Sequence, residues 1–230
     1  MDHSPTNLLK KPVIMKLKPS IATGIRNIIF DFGGVLLDID IRLTVDAFRR
    51  LGLSDLKSAE IHPQNAGVFL QLELGKITEE QFVATLQSYI PAGKPVPTTA
   101  QILDAWNALL LDYDWRRFEL LDRLRESGYR IFLLSNTNLP HREYFIGKFN
   151  LENPDGRTFE SYFDRLFYSD AMHMRKPDPE IYLTALREAG IEAGDTLFID
   201  DNKPNTDAAA KLGIKTAHLV PPATVLDLFE

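Results

Sequence analysis

The chain has no cysteine among its 230 residues. Disulfides, thiolate catalysis and cysteine-ligated zinc are therefore excluded. No apolar run is long enough to span a bilayer, and the first residues lack the continuous apolar segment of a signal peptide. The expectation is a cytoplasmic protein with no membrane partner. Basic clusters are also missing, and the net charge is −6. A duplex-binding protein needs a basic face, so nucleic acid is not an expected partner. The one local excess of positive charge lies in residues 1–20, where Lys10, Lys11, Lys16 and Lys18 stand against Asp2. That segment has no broad apolar face for membrane attachment and reads as a solvated tail, with Met15 a candidate start.

The remaining composition is that of a globular chain, 44% apolar and 25% charged. Five short apolar runs read as buried strands: Asn27–Asp31, Arg130–Ser135, Arg165–Ser169, Thr196–Asp200 and Lys215–Val220. They show little polar alternation, as strands covered on both faces do. Helical patterns separate them. Trp115–Ser127 carries apolar residues at 118, 120, 121 and 124 and stops at Gly128. Pro179–Ala189 starts with a proline suited to a first turn and ends before Gly190, and Pro204–Leu212 ends before Gly213. Strand and helix alternating in this way predict an α/β fold, a doubly wound parallel sheet. Residues 41–114 break the rhythm. They hold helical patterns (Ile41–Leu51, a capping box at Thr78–Gln81, and Gln101–Leu111), a Pro/Gly-rich loop at Pro91–Pro97 and no convincing strand. The division expected is a tail at 1–20, an α/β core from 21–40 and 115–230, and a helical insert at 41–114.

Open α/β sheets bind ligands at the carboxyl ends of their strands, and the polar residues expected there form a coherent set. Asp31 ends the first strand, Ser135 and Asn136 the second, and Asp200 and Asp201 the fourth, while Lys176 lies in the loop after the third. Asp31 and Asp201 suit a hard cation such as Mg²⁺, which takes a few carboxylates plus phosphate oxygens and water. An aspartate can also attack phosphorus. Lys176 would neutralise charge, and Ser135 with nearby backbone N–H groups would hold phosphoryl oxygens. Gly33 and Gly34 let the backbone after Asp31 pass close to metal and phosphate. Adjacent acids such as Asp200 and Asp201 are costly to bury without a partner.

These residues resemble the haloacid dehalogenase (HAD) superfamily. FDFGGVL at 30–36, LLSNTN at 133–138, RKPDPEIY at 175–182 and FIDDNKPN at 198–205 look like its four motifs, in order. The resemblance spans about residues 26–220 and places the insert where the family carries a helical C1 cap. It implies a Mg²⁺-dependent phosphatase acting on a small-molecule phosphate ester through an aspartyl-phosphate. Asp31 would be the nucleophile, Lys176 the charge-balancing lysine, and Ser135, Asn136 and Gly34 the substrate-binding group. The metal set would be Asp31, the Gly33 carbonyl, Asp201 and Asp200, with Asn205 supporting Asp201.

One departure matters. Family phosphatases usually carry a second Asp two residues after the nucleophile as general acid and base; here that position is Gly33. DFGGVLLDID and LLSNTNxxH are more similar to the subgroup of bacterial sugar-phosphate phosphatases that includes α-D-glucose-1-phosphatases. Asp38, His141 or a metal-bound water would have to replace the acid, or the substrate would need a good leaving group, which favours sugar 1-phosphates over 6-phosphates. Asp38 has a plainer reading as a helix N-cap ahead of Ile41. Trp106 and Asn107 are candidates for substrate choice, although a Trp in an amphipathic helix more often packs in a core. His62, His173 and His218 are assigned no role. The competing readings are a 2-haloacid dehalogenase and a catalytically silent phosphate-binding protein.

Overall fold

The computed structural model describes Lys18, residues 23–53 and residues 67–230. Most of the tail at 1–20, Met15 and His62 lie outside the described residues. Five strands form one sheet: β1 (Asn27–Phe30), β2 (Arg130–Ser135), β3 (Arg165–Tyr168), β4 (Thr196–Asp200) and β5 (Lys215–His218). The order is β3-β2-β1-β4-β5, and every pairing is parallel. The chain steps from β1 to one edge and then returns to the other side of β1. The crevice of a doubly wound sheet therefore opens at the carboxyl end of β1.

Successive strand residues point to opposite faces, and each face has its own helix layer. Ile28 and Phe30 pack with α5 (Trp115–Glu126) and α6 (Leu139–Glu152) through Leu121, Leu124, Phe145 and Phe149. Ile29 packs with Phe132 and Phe198 against α8 (Pro179–Ala189) and α9 (Lys203–Lys211) through Ile181, Ala185 and Ala209. Both faces of the central strands β1, β2 and β4 are buried, which explains why they read as unbroken apolar runs.

Between β1 and α5 the chain forms α1 (Ile41–Arg50), α2 (Val68–Glu73), α3 (Glu79–Ser88) and α4 (Thr99–Asn107). They enclose a separate apolar cluster around Phe48, Phe69, Phe82, Leu86, Ile102 and Trp106. Burying each of these side chains contributes about 1.5–3 kcal/mol. Thr78 and Thr98 each close a capping box, with Gln81 and Gln101 reaching back. The two segments that join this unit to the sheet run side by side. Asp40 N donates to Leu109 O (2.9 Å), and Leu111 N donates to Asp38 O (3.1 Å).

That pairing corrects one sequence-based boundary. The helix expected over Gln101–Leu111 runs Thr99–Asn107, because residues 109–111 leave it to pair with the outgoing segment. Asp38 is not the cap of α1. That position belongs to Asp40, whose side chain accepts from Arg42 N, while Asp38 accepts from the Arg117 guanidinium at 2.8 Å. β3 stops at Tyr168 because Ser169 opens the short helix α7 (Ser169–Met172). The remaining boundaries lie within two residues of expectation.

Candidate active site

Asp31 stands one residue beyond β1 and is still tied to the sheet, its N–H donating to Ile199 O at 2.8 Å. Its Oδ1 accepts from Phe32 N (2.7 Å) and pairs with Lys176 Nζ (2.8 Å). Lys176 comes from the loop between α7 and α8 and is fully buried. Its ammonium also donates to Asp200 Oδ2 at 2.7 Å. Burial alone would push the lysine towards its neutral form, but the Asp200 and Asp31 carboxylates outweigh it and hold the ammonium charged. Burial raises the Asp31 carboxyl well above the usual carboxylate range, against Lys176 and with help from the Asp200 charge. Burial and Asp200 likewise raise Asp201.

Asp31, Asp200 and Asp201 each bring a carboxylate oxygen within 4.8 Å of the others. Among the described residues, these three carboxylates share the one ammonium of Lys176, which leaves a surplus of negative charge. A divalent cation is the chemical complement of such a set. The three acids are not equivalent. Asp200 is wholly buried, and its oxygens accept from Lys176, from Asn202 N at 2.7 Å and from Asn205 Nδ2 at 3.0–3.1 Å. Its partners are satisfied by protein. Asp31 and Asp201 line the cavity above the sheet, and Asp200 does not. Asn205 therefore supports Asp200 and not Asp201, a correction to the sequence-based expectation.

Other predicted site residues also take more specific positions. Gly34 has φ +78° and its N–H is bonded to Leu37 O, so it is not free to bind substrate. What the position contributes is space: a β-carbon there would overlap the Asp201 carboxylate. Gly33 lines the cavity. Asn136 uses both ends of its amide on the Lys176 backbone, donating to its carbonyl and accepting from its N–H, both at 2.9 Å. It positions the loop that carries the lysine. Ser135 lies at the end of β2, next to β1 in the sheet, and its hydroxyl has no hydrogen-bond partner among the described residues. Asp38 is not among the residues lining the cavity.

The cavity holds about 220 Å³. Its outer wall comes from the helical insert and the loops facing it. Trp106 serves two functions, being packed among Phe48, Phe69 and Phe82 and also lining the cavity, with its ring stacked on His141 at 4.4 Å. Trp106 Nε1 donates to Asn138 Oδ1 at 3.2 Å. His141 Nδ1 lies 2.7 Å from Asn107 Oδ1. Burial pushes the imidazole down to about 3, so it is neutral at physiological pH. Because Asn107 Oδ1 can only accept, Nδ1 carries the proton and Nε2 is an acceptor.

Glu73 and Arg175 line the wall and had no assigned role in the sequence. Glu73, the last residue of α2, is buried and lines the cavity. Its Oε1 accepts from Arg175 Nε at 2.7 Å, and its backbone carbonyl accepts from Ser169 Oγ at 2.9 Å. The turn after it needs glycine: Gly75 has φ +61°, and a β-carbon there would overlap the Asp170 carbonyl. The signal for this contact was a glycine two residues beyond an apolar helix, which also has an ordinary reading as a helix stop. His173 and His218 are not idle either. His173 Nδ1 lies 3.0 Å from Leu74 O, and His218 Nε2 lies 3.0 Å from Asp201 O.

A parallel sheet with an aspartate, a buried lysine and an acidic pair gathered at adjacent strand ends defines a hydrolase-like α/β site. Residues 25–213 match the family of haloacid dehalogenase-like hydrolases, and the chain belongs to that family. It is 33% identical to the D-ribitol-5-phosphate phosphatase of Bacteroides thetaiotaomicron, across 84% of this chain and 90% of that protein. It is 28% identical to a phosphorylated carbohydrates phosphatase of Thermotoga maritima, across 82% of each chain. Among solved structures, a HAD family enzyme of Bacteroides thetaiotaomicron in complex with magnesium and inorganic phosphate superposes with a TM-score of 0.77 at 33% identity, over 89% of this chain and 99% of that one. No helix among the described residues is long and apolar enough to cross a membrane.

Proposed function

We propose that the protein is a Mg²⁺-dependent phosphatase that cleaves a small sugar or polyol phosphate through an aspartyl-phosphate on Asp31. The observation that carries this reading is the unequal use of the Asp31 oxygens. Oδ1 is held by Lys176 and Phe32 N, while Oδ2 has no hydrogen-bond partner among the described residues. One oxygen is thus fixed, and the other is available to attack phosphorus or to bind a cation.

Asp31, Asp201 and the Gly33 carbonyl would hold the cation, with Asp200 behind them keeping Lys176 and Asn205 in place. Bound Mg²⁺ supplies charge neutralisation for the phosphoryl oxygens. Lys176 stabilises the negative charge that builds as Asp31 attacks, and the Ser135 hydroxyl donates to a phosphoryl oxygen. Helices α1–α4 act as a cap that shuts the cavity from water and carries the groups that choose the substrate. The relatives named for phosphorylated sugars and polyols support this substrate class. Ribitol 5-phosphate is an ester of a primary alcohol, which moves the weight away from anomeric 1-phosphates.

The test is phosphate release from p-nitrophenyl phosphate with and without Mg²⁺, for wild type and Asp31→Asn. Activity that requires Mg²⁺ and falls at least about 10³-fold in the variant is expected. Metal-independent chloride release from a 2-haloacid, with no phosphate release, would replace the proposal by the dehalogenase reading.

A further inference from the structure

Position 33 is glycine, so the end of β1 offers no carboxyl group to protonate a departing alcohol. A polyol phosphate leaves as a primary alkoxide, which needs that proton. The groups around the cavity narrow the choice of donor. Asp31 is the nucleophile, and Asp201 belongs to the cation site. Lys176 is locked between Asp31 and Asp200. Asp38 is bound by Arg117 outside the cavity lining. His141 is neutral, with its one N–H directed to Asn107, so its remaining nitrogen can only accept.

Glu73 remains. It reaches the same cavity as Asp31 from the opposite, cap side and is 4% exposed. One oxygen is anchored by Arg175, and Oε2 has no partner among the described residues. The main chain behind it is held by Ser169 Oγ, which also joins the Thr137 N–H and carbonyl at 2.9 Å, two residues past the end of β2. The carboxyl group is thus fixed to the core edge that holds the phosphate.

We propose that Glu73 is the acid/base carboxyl group of this enzyme, supplied by the cap in place of the one missing at position 33. This inference rests on the phosphatase reading. As Asp31 Oδ2 bonds to phosphorus and the ester P–O bond breaks, Glu73 gives its proton to the leaving oxygen. The resulting carboxylate then takes a proton from water as that water attacks the phosphoryl group, which frees Asp31 and restores the acid. The charged groups facing Glu73 are Arg175 and, farther away, Lys176; Asp170 and His173 flank its turn. Burial raises the Glu73 carboxyl above the ordinary range, against the pull of Arg175.

The experiment compares p-nitrophenyl phosphate with phenyl phosphate, whose leaving group is poorer and depends more on a proton donor. In Glu73→Gln, kcat/KM, which reports the steps through departure of the leaving group, should fall about 10²–10⁴-fold for phenyl phosphate and much less for p-nitrophenyl phosphate, while kcat falls for both because the aspartyl-phosphate has lost its base. In the wild type, kcat/KM for phenyl phosphate should decline as pH rises and Glu73 ionises, a limb that is weak for p-nitrophenyl phosphate and absent in the variant. Equal losses of kcat/KM on the two substrates would reduce Glu73 to a cap-to-core tether, and no loss on either would make it a bystander; both results overturn the proposal. If Glu73→Gln does not fold, the wild-type pH profiles decide, and identical limbs for the two esters refute it. A wild type inactive on both esters would instead break the phosphatase reading on which the proposal stands.

Discussion

Lys176 and Glu73 are both buried charged residues on one cavity, but they are held in different ways. Lys176 sits between two carboxylates at 2.8 and 2.7 Å, and its backbone is gripped by the Asn136 amide. All of its partners belong to the sheet and its connecting loops. Glu73 reaches the cavity from the helical insert and is held there by Arg175 and Ser169 across the seam. The first arrangement is closed within the sheet and its loops. The second exists only while insert and sheet are in contact. The difference suits the proposed division of labour, in which strand ends would handle the phosphate and the insert the rest of the substrate.

The largest effect should come from breaking the first arrangement. Lys176→Met leaves Asp31 and Asp200 as buried carboxylates without their cation. Loss of one partner from such a pair costs about 3–5 kcal/mol. Thermal unfolding should show that loss in chelator and a partial recovery in Mg²⁺, because a bound cation offsets the same surplus charge. A variant as stable as wild type in chelator would show that the carboxylates are not charged against the lysine.

A smaller effect is expected from Gly34→Ala. The added methyl group meets the Asp201 carboxylate on a backbone with positive φ, so the acid must move. Mg²⁺ affinity, read from activity against metal concentration, should weaken about 10–100-fold, as when an orienting contact to a ligand is lost. Unchanged affinity would remove Asp201 from the metal set.

The seam itself is probed by pH. His141 is buried neutral, with its folded value pushed to about 3 from an ordinary value near 6.5. Between those values the unfolded chain binds more protons than the folded one, so stability rises with pH across that window and is fully present above it. Lowering the pH from 7.5 to 5 should cost the wild type on the order of 2 kcal/mol through this residue, and His141→Gln should lose that part of the slope. Denaturant titrations at the two pH values measure it. An unchanged slope in the variant would show that His141 protonates in place.

Much of this was readable in the residues. β2, β4 and α8 have the bounds that apolar runs, prolines and glycines indicated. Asp31, Asp200, Asp201 and Lys176 could be picked out because strand ends of a parallel sheet share one edge. Local chemistry sets these features: a strand buried on both faces must be apolar, and charged residues at its end must lie where ligands bind. Which acid faces the cavity was not readable. Asp200 and Asp201 are adjacent and chemically identical, and only the positions of Lys176, Asn202 and Asn205 turn the first inward.

The sequence by itself determined the fold class, the family and the acidic edge, since period, capping and motif are local properties of the chain. Only the tertiary structure decided that Asn205 serves Asp200, that Gly34 makes room for Asp201 and that Asp38 belongs to Arg117. It alone brought Glu73 to Arg175, 102 residues apart, and Asn107 to His141, 34 apart. Such contacts depend on how two separately packed units meet, and no local pattern in either unit encodes the partner that the other presents.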